Sequence, residues 1–179
     1  MAVTILVAGF VRGYSGFGFS ALTIASSALV TNPLHFVAVV VVWETVMTGQ
    51  ALSGIWKDID WRRVGLLLVG AMVGMPIGIW ALTSISEDAA RAVISAYVLA
   101  MSLILLAGWK LRGKVGPVAN LGAGLVSGLA NAPGMGGLPV AAFFAAQAMS
   151  PAVFRATLVA YFPLLDLYSA PIYWWSGMV

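Results

Sequence analysis

The chain has 179 residues, of which 61% are hydrophobic and only 8% charged, and its formal net charge is +3. A soluble domain carries about 25% charged residues, so this composition excludes one and reads as an integral membrane protein. The basic residues fall in short loops, with no patch or tail that would suit nucleic acid; the absence of cysteine removes disulfides, thiolate metal sites and thiol catalysis.

Six apolar segments are predicted, giving an all-α fold of about six transmembrane helices. Segment one, Ala2 to Val30, has no basic n-region and outlasts a signal-peptide core, so it reads as a retained helix ended by "TNP". Segment two is Leu34 to Ile55, segment three Val64 to Leu82, and segment four Ala90 to Trp109. Segment five runs from Val115 to Met149. Segment six starts at Pro151, a favoured first-turn proline, and reaches about Leu167; the tail "YSAPIYWWSGMV" has interfacial character.

The loops carry an orientation signal. "WKDIDWRR" (Trp56 to Arg63) and "KLRGK" (Lys110 to Lys114) are basic, whereas "SISEDAAR" (Ser84 to Arg91) is net acidic and the turns at Thr31–Pro33 and Met149–Pro151 are uncharged. The positive-inside rule then places residues 56–63, 110–114 and the N-terminus in the cytoplasm of a multi-pass inner-membrane protein. This topology takes segments one and five to cross once each, although both are long enough for a re-entrant excursion.

Segment five holds the most unusual stretch, "GLANAPGMGGLPV" (Gly128 to Val140), with Asn131, Pro133, Gly134, Gly136 and Gly137 breaking a charge-free run. Segment one breaks likewise at "GYSGFGFS" (Gly13 to Ser20). The breaks belong to an internal repeat: "AGFVRG" (Ala8 to Gly13) matches "AGLVSG" (Ala123 to Gly128), and Gly18 to Pro33 matches Gly136 to Pro151. Residues 1–110 are thus read as a first repeat of four helices. Residues 115–179 form a second repeat of two helices and a tail, lacking partners for segments three and four. Four segments separate equivalent ones, so the halves are expected to be parallel, related by an axis along the membrane normal.

In lipid an unpaired amide costs several kcal/mol, so irregular backbone is expected only inside protein or along a wet cavity. A broken helix presents amides and a partial positive charge at its half-helix N-terminus, which suits an anion. The predicted site therefore takes Arg12, Gly13, Ser15 and Gly16 from the first break and Ser127, Asn131, Gly134, Gly136 and Gly137 from the second. The alternative for the glycines is helix packing, preferred for Gly70, Gly74 and Gly78 in "GAMVGMPIG" and left open for Gly9, Gly13, Gly124 and Gly128.

Charges at membrane depth are functional hypotheses by default. Arg12 lies roughly 15 Å into segment one and Glu44 roughly 16 Å beyond Pro33. Arg12 is a candidate anion ligand and Glu44 a candidate proton carrier for coupling; the alternative is a static ion pair between them. Asp166, a second coupling candidate, sits deep in segment six but near its inner end, where the alternative is that it simply faces water. Arg155, one turn past Pro151, is either a vestibule residue or an anchor at the outer interface. His35 reads as an interfacial hydrogen-bonder. No metal ligand set, nucleophile–base pair or phosphate loop is present, so no metal, cofactor or enzymatic reaction is expected.

The sequence resembles the sulfite exporter TauE/SafE family of bacterial membrane proteins. The resemblance is carried by "GFVRGYSGFGFSALTIASSAL", by "GQALSGIWKDIDWRRVGLLLVGAMVGMPIGIWAL" with its "IDWR" loop (Ile59 to Arg62), and by "GLVSGLANAPGMGGLPVAAFF". It implies movement of small anions, notably sulfite, sulfonates and related organosulfur compounds, coupled to an ion gradient. The chain departs from the family pattern in two ways: Phe17 and Phe19 interrupt the first glycine break, and helices equivalent to segments three and four do not follow Leu167. The expectation is an alternating-access transporter of a small anion in the lipid bilayer. Its alternative is a non-transporting subunit. Possible partners are a second copy or missing helices from another chain.

Overall fold

A computed structural model describes residues 2–16, 18–28, 40, 42, 43, 46, 49, 54–111 and 115–175. Among them all regular structure is helical: α1 (Ala2–Ser15), α2 (Phe19–Ala28), a 3-10 turn (Trp56–Asp58), α3 (Trp61–Thr83), α4 (Glu87–Ala107), α5 (Pro117–Ala130), α6 (Gly137–Ala145) and α7 (Pro151–Trp175). Both predicted breaks are present, at Gly16 and Gly18, which take positive φ, and at residues 131–136. Most of segment two lies outside the described residues.

Local signals set the helix ends. Asp60 caps α3 by accepting from the Arg63 amide. Ser86 caps α4, whose first turn carries Glu87 and Asp88, and Gly108 closes it in a left-handed conformation. α3 and α4, of 23 and 21 residues, are long and apolar enough to cross a bilayer. α7 runs for 25 residues and does not stop near Leu167. Its last turns are therefore not an interfacial tail: Tyr173 is buried, although Trp174 and Trp175 remain exposed.

A set of polar contacts defines one end of the bundle, here called the basic end. The Asp60 amide donates to Thr157 Oγ1 at 3.1 Å, Arg63 Nη1 to Gln147 Oε1 at 2.6 Å, and Lys110 Nζ to the Ala145 carbonyl at 2.7 Å. The Leu111 amide donates to the Ala146 carbonyl at 2.7 Å. The starts of α3 and α7, the end of α4 and the end of α6 thus lie together.

α3 and α5 run parallel in glycine-to-backbone contact. A β-carbon on Gly70, Gly74 or Gly78 would sit 2.2–2.4 Å from a carbonyl oxygen of Leu121, Leu125 or Leu129. Gly124 and Gly128 meet the Leu67 and Ala71 carbonyls in the same way. Packing is the correct reading for these five. α6 must run antiparallel to α5, since its C-terminal end returns to Lys110 and Leu111, just before α5 begins. Segment five is a hairpin.

The first break is a hairpin too, entering from the other end. Gly16 lies against Arg155 and Val159 near the start of α7. Arg12 lies over Phe162, further along α7. Ala8 joins a core cluster with Ile79, Leu82, Ala90 and Tyr173, remote from the basic end. α2 then turns back, placing Phe19 and Ile24 in that same cluster. Three sequence expectations change as a result. The hairpins face opposite ends, an inverted relation and not a parallel one; α1 starts at the end away from the basic loops, so the N-terminus is not on their side; and Met149–Pro151, with Arg155, lies beside those loops, not opposite them. All three follow from one fact, that each broken segment reverses direction.

Candidate anion site

At the first break, Gly16 takes φ +83° and Gly18 φ +97°, conformations that L side chains rarely adopt. A β-carbon on Gly16 would also lie 2.9 Å from Arg155 Cγ, so the arginine stem crosses the turn at the one place without a side chain. On α1, Ala8 and Arg12 are one helical turn apart and face inward; Leu6, Phe10 and Tyr14 face out, 74%, 79% and 85% exposed. Arg12 is only 5% exposed. Its guanidinium carbon sits 5.7 Å from the centroid of the Phe162 ring.

The same ring touches the second break. Phe162 Cε1 and Cζ lie 2.9 Å from where a β-carbon on Gly137 would be. Gly137 is the first residue of α6, so the ring joins a buried cation to the N-terminal end of a half-helix. Pro139 has no amide and the Leu138 amide is directed to the Met135 carbonyl at 3.3 Å. Gly137 stands at the N-terminal end of α6, where the first-turn amides have no acceptor within their own helix.

The other polar groups of the second break hold its shape. Asn131 Oδ1 accepts from the Gly136 amide at 3.3 Å, and the Tyr173 hydroxyl donates to the Asn131 carbonyl, which also accepts from the Gly134 amide at 2.8 Å. Gly134 takes φ +75° within this turn. Ser127 Oγ donates to the Gly136 carbonyl at 2.5 Å. Its proton being used there, the contact at 2.8 Å with Tyr161 has the tyrosine as donor. Ser127 is the repeat counterpart of Arg12, so equivalent positions of the two hairpins abut Tyr161 and Phe162, neighbours on α7. Ser127→Ala strands buried acceptor and donor groups; an expected loss of about 1–3 kcal/mol is checked by unfolding in detergent.

The structure thus brings Arg12, Gly137, Ser127, Asn131, Gly134 and Gly136 into one neighbourhood, and Gly16 with Arg155 into another. Gly13 stands apart: it is exposed, and a β-carbon there would meet nothing within 4 Å. The Ser15 hydroxyl donates back to the Val11 carbonyl at 2.8 Å. Asp166 is buried in the interior of α7, one turn beyond Phe162, and not at a wet helix end. Glu44 and His35 lie outside the described residues. Tyr14, Ser15, Ala152, Phe154 and Arg155 line a cavity of about 380 Å³ near the start of α7, at the basic end of the bundle. No group of His, Asp or Glu suited to a metal ion occurs among the described residues. Sequence reasoning missed Phe162, Tyr161 and Tyr173, because an aromatic residue in an apolar helix carries no signal distinguishing a site from a core.

Two broken helices meeting at mid-bundle beside a buried cation define the architecture of membrane transport proteins, in which half-helix ends face the substrate. The chain belongs to the sulfite exporter TauE/SafE family, whose model matches residues 1–179. It is 28% identical over 175 aligned residues to a protein of Cupriavidus necator named as a probable sulfite/organosulfonate exporter TauE, the match covering 92% of this chain and 67% of that relative. No solved structure matches it significantly.

Proposed function

We propose that this chain carries small oxyanions, of the sulfite and organosulfonate class, across the inner membrane by alternating access around Phe162. The observation that carries this reading is the shared ring: Arg12 from one hairpin and Gly137 from the other both contact Phe162. Rocking one hairpin against the other would part or join the two halves of the site, exposing it to either end in turn. The guanidinium supplies charge and a planar set of donors that matches an oxyanion. The Gly137 amide and the α6 dipole add to it. Asn131 and Ser127 act as positioning residues that hold the amide in place. The family and the name of the relative support the substrate class.

In this reading α3, α4 and α7 cross the bilayer and the two hairpins re-enter it from opposite faces. The basic loops put the basic end in the cytoplasm. The cavity beside Arg155 is then the cytoplasmic mouth, on the side from which an exporter loads. Asp166, one turn from Phe162, and Glu44 are the candidates for coupling to an ion gradient. Arg155→Gln is expected to raise the KM for internal sulfite roughly fivefold with kcat unchanged, an effect that fades at high salt because an exposed charge steers rather than binds. The experiment for the whole reading is radiolabelled sulfite flux in proteoliposomes, with and without an imposed pH gradient. Saturable, gradient-sensitive flux is the expected result. Folded protein that moves none would turn the reading towards a non-transporting subunit.

A further inference from the structure

A polar cavity at the basic end shares no residue with either glycine break or with the cavity beside Arg155. Asp60, Arg62 and Arg63 from the start of α3 and Val115, Pro117 and Asn120 from the start of α5 line a space of about 190 Å³. One water takes up roughly 30 Å³ of the liquid, so this space holds a group of several heavy atoms. Asp60 and Arg63 answer each other: Asp60 Oδ2 accepts from Arg63 Nε at 2.9 Å, and Oδ1 from the Arg63 amide at 3.1 Å. Arg62, exposed beside them, leaves the lining with a net positive charge.

Asn120 supplies a second, independent signal. It is only 3% exposed, and its Nδ2 donates to the Gly116 carbonyl at 2.9 Å. That bond fixes which way the amide points, because the flipped form would press two carbonyl oxygens together. The remaining atom, Asn120 Oδ1, is an acceptor buried without a hydrogen-bond partner. Native proteins rarely leave such an atom unmatched, so it calls for a donor from outside the chain. α5 begins here as well, with Gly116 as its N-cap, no side chain capping it, and proline in its first turn. The free amides of that turn and the helix dipole favour negative charge.

These demands select a ligand. A metal cation would satisfy Asn120 but is repelled by the net positive charge. A bare oxyanion would suit Arg62 but leave Asn120 unmatched. A group that carries an anion and an N–H donor a few bonds apart meets both. Position selects its source: Trp56 and Trp61, 58% and 43% exposed with ring centroids 4.8 Å apart, flank Asp60 in the chain and suit the headgroup level of a bilayer. We propose that this cavity binds the headgroup of phosphatidylethanolamine, its phosphate between Arg62 and the start of α5 and its ammonium donating to Asn120 Oδ1. The Asp60 carboxylate adds attraction for the ammonium, and the bound lipid ties the starts of α3 and α5 together. The site rests on the transport reading only in placing the basic end at a membrane surface.

Native mass spectrometry of the delipidated full chain tests it, with dioleoyl phosphatidylethanolamine and dioleoyl phosphatidylcholine supplied in equal amounts. The quaternary ammonium of choline has no N–H, so the wild type should retain one phosphatidylethanolamine several-fold over phosphatidylcholine. Asn120→Leu should erase that preference. Arg62→Gln, a change at an exposed side chain that the fold tolerates, should weaken retention of both lipids. Glycerophosphoethanolamine, the same headgroup without acyl chains, should fail to displace the lipid. Equal retention of the two lipids by the wild type, or a preference unchanged in both variants, would overturn the proposal. Displacement by micromolar glycerophosphoethanolamine would overturn the lipid assignment and give the cavity to a soluble phosphoethanolamine ester. No flux is measured, so the lipid site and the transport reading fail separately.

Discussion

Valine in place of Gly74 or Gly124 is expected to break the bundle. A β-carbon at either position would lie 2.2 Å from a carbonyl oxygen of the facing helix, where no real contact is so short. Backbone cannot swing aside as a side chain does, so α3 and α5 must separate along several turns. The loss should reach roughly 3 kcal/mol, or on the order of 10 °C in Tm for a chain of this size. Thermal unfolding in detergent measures it. The same substitution at Gly65, where a β-carbon would meet nothing within 4 Å, should leave Tm close to that of the wild type. If all three variants melted alike, the glycine-sealed helix pair would not be the source of the bundle's stability.

Arg12→Ala should cut transport by up to roughly 100-fold in kcat/KM while the chain still folds. The side chain is buried against an aromatic ring on α7, and a charge-assisted hydrogen bond to an oxyanion is worth about 1.5–3 kcal/mol. The upper value corresponds to roughly 100-fold in kcat/KM. Arg12→Lys keeps the charge but loses the planar fork and its stacking on Phe162, so an intermediate loss of about tenfold is expected. The ordering of wild type, lysine and alanine variants in sulfite flux is the diagnostic result. A lysine variant as poor as alanine would mean that shape at Phe162, and not charge, is what Arg12 supplies.

Several parts of this structure were legible in the sequence for identifiable reasons. Composition alone requires helices in lipid, because nothing else satisfies the backbone except a closed barrel. The breaks were legible because asparagine, proline and clustered glycine are poor helix formers wherever they occur. The ridge of Gly70, Gly74 and Gly78 was legible as packing, having no polar residue that a binding site would need. The sense of the hairpins was not. A long apolar run describes one kinked crossing as well as two antiparallel arms, and six residues from Asn131 to Gly136 decide between them. One available signal was arm length: α5 has 14 residues and α6 has 9, each short of the ~20 needed to cross. Reading that signal would have moved Arg155 to the basic end and inverted the repeat. The role of Phe162 had no signal, since its meaning comes from Arg12 and Gly137, residues far from it in the chain.

The most direct test of the site is equilibrium binding of radiolabelled sulfite to the purified chain, wild type beside Arg12→Gln, because binding separates the site from the rest of a transport cycle. The account predicts a single saturable site in the wild type that is lost in Arg12→Gln while the variant remains folded. Equal binding by the two proteins would contradict it and place the anion away from the ring that joins the two hairpins.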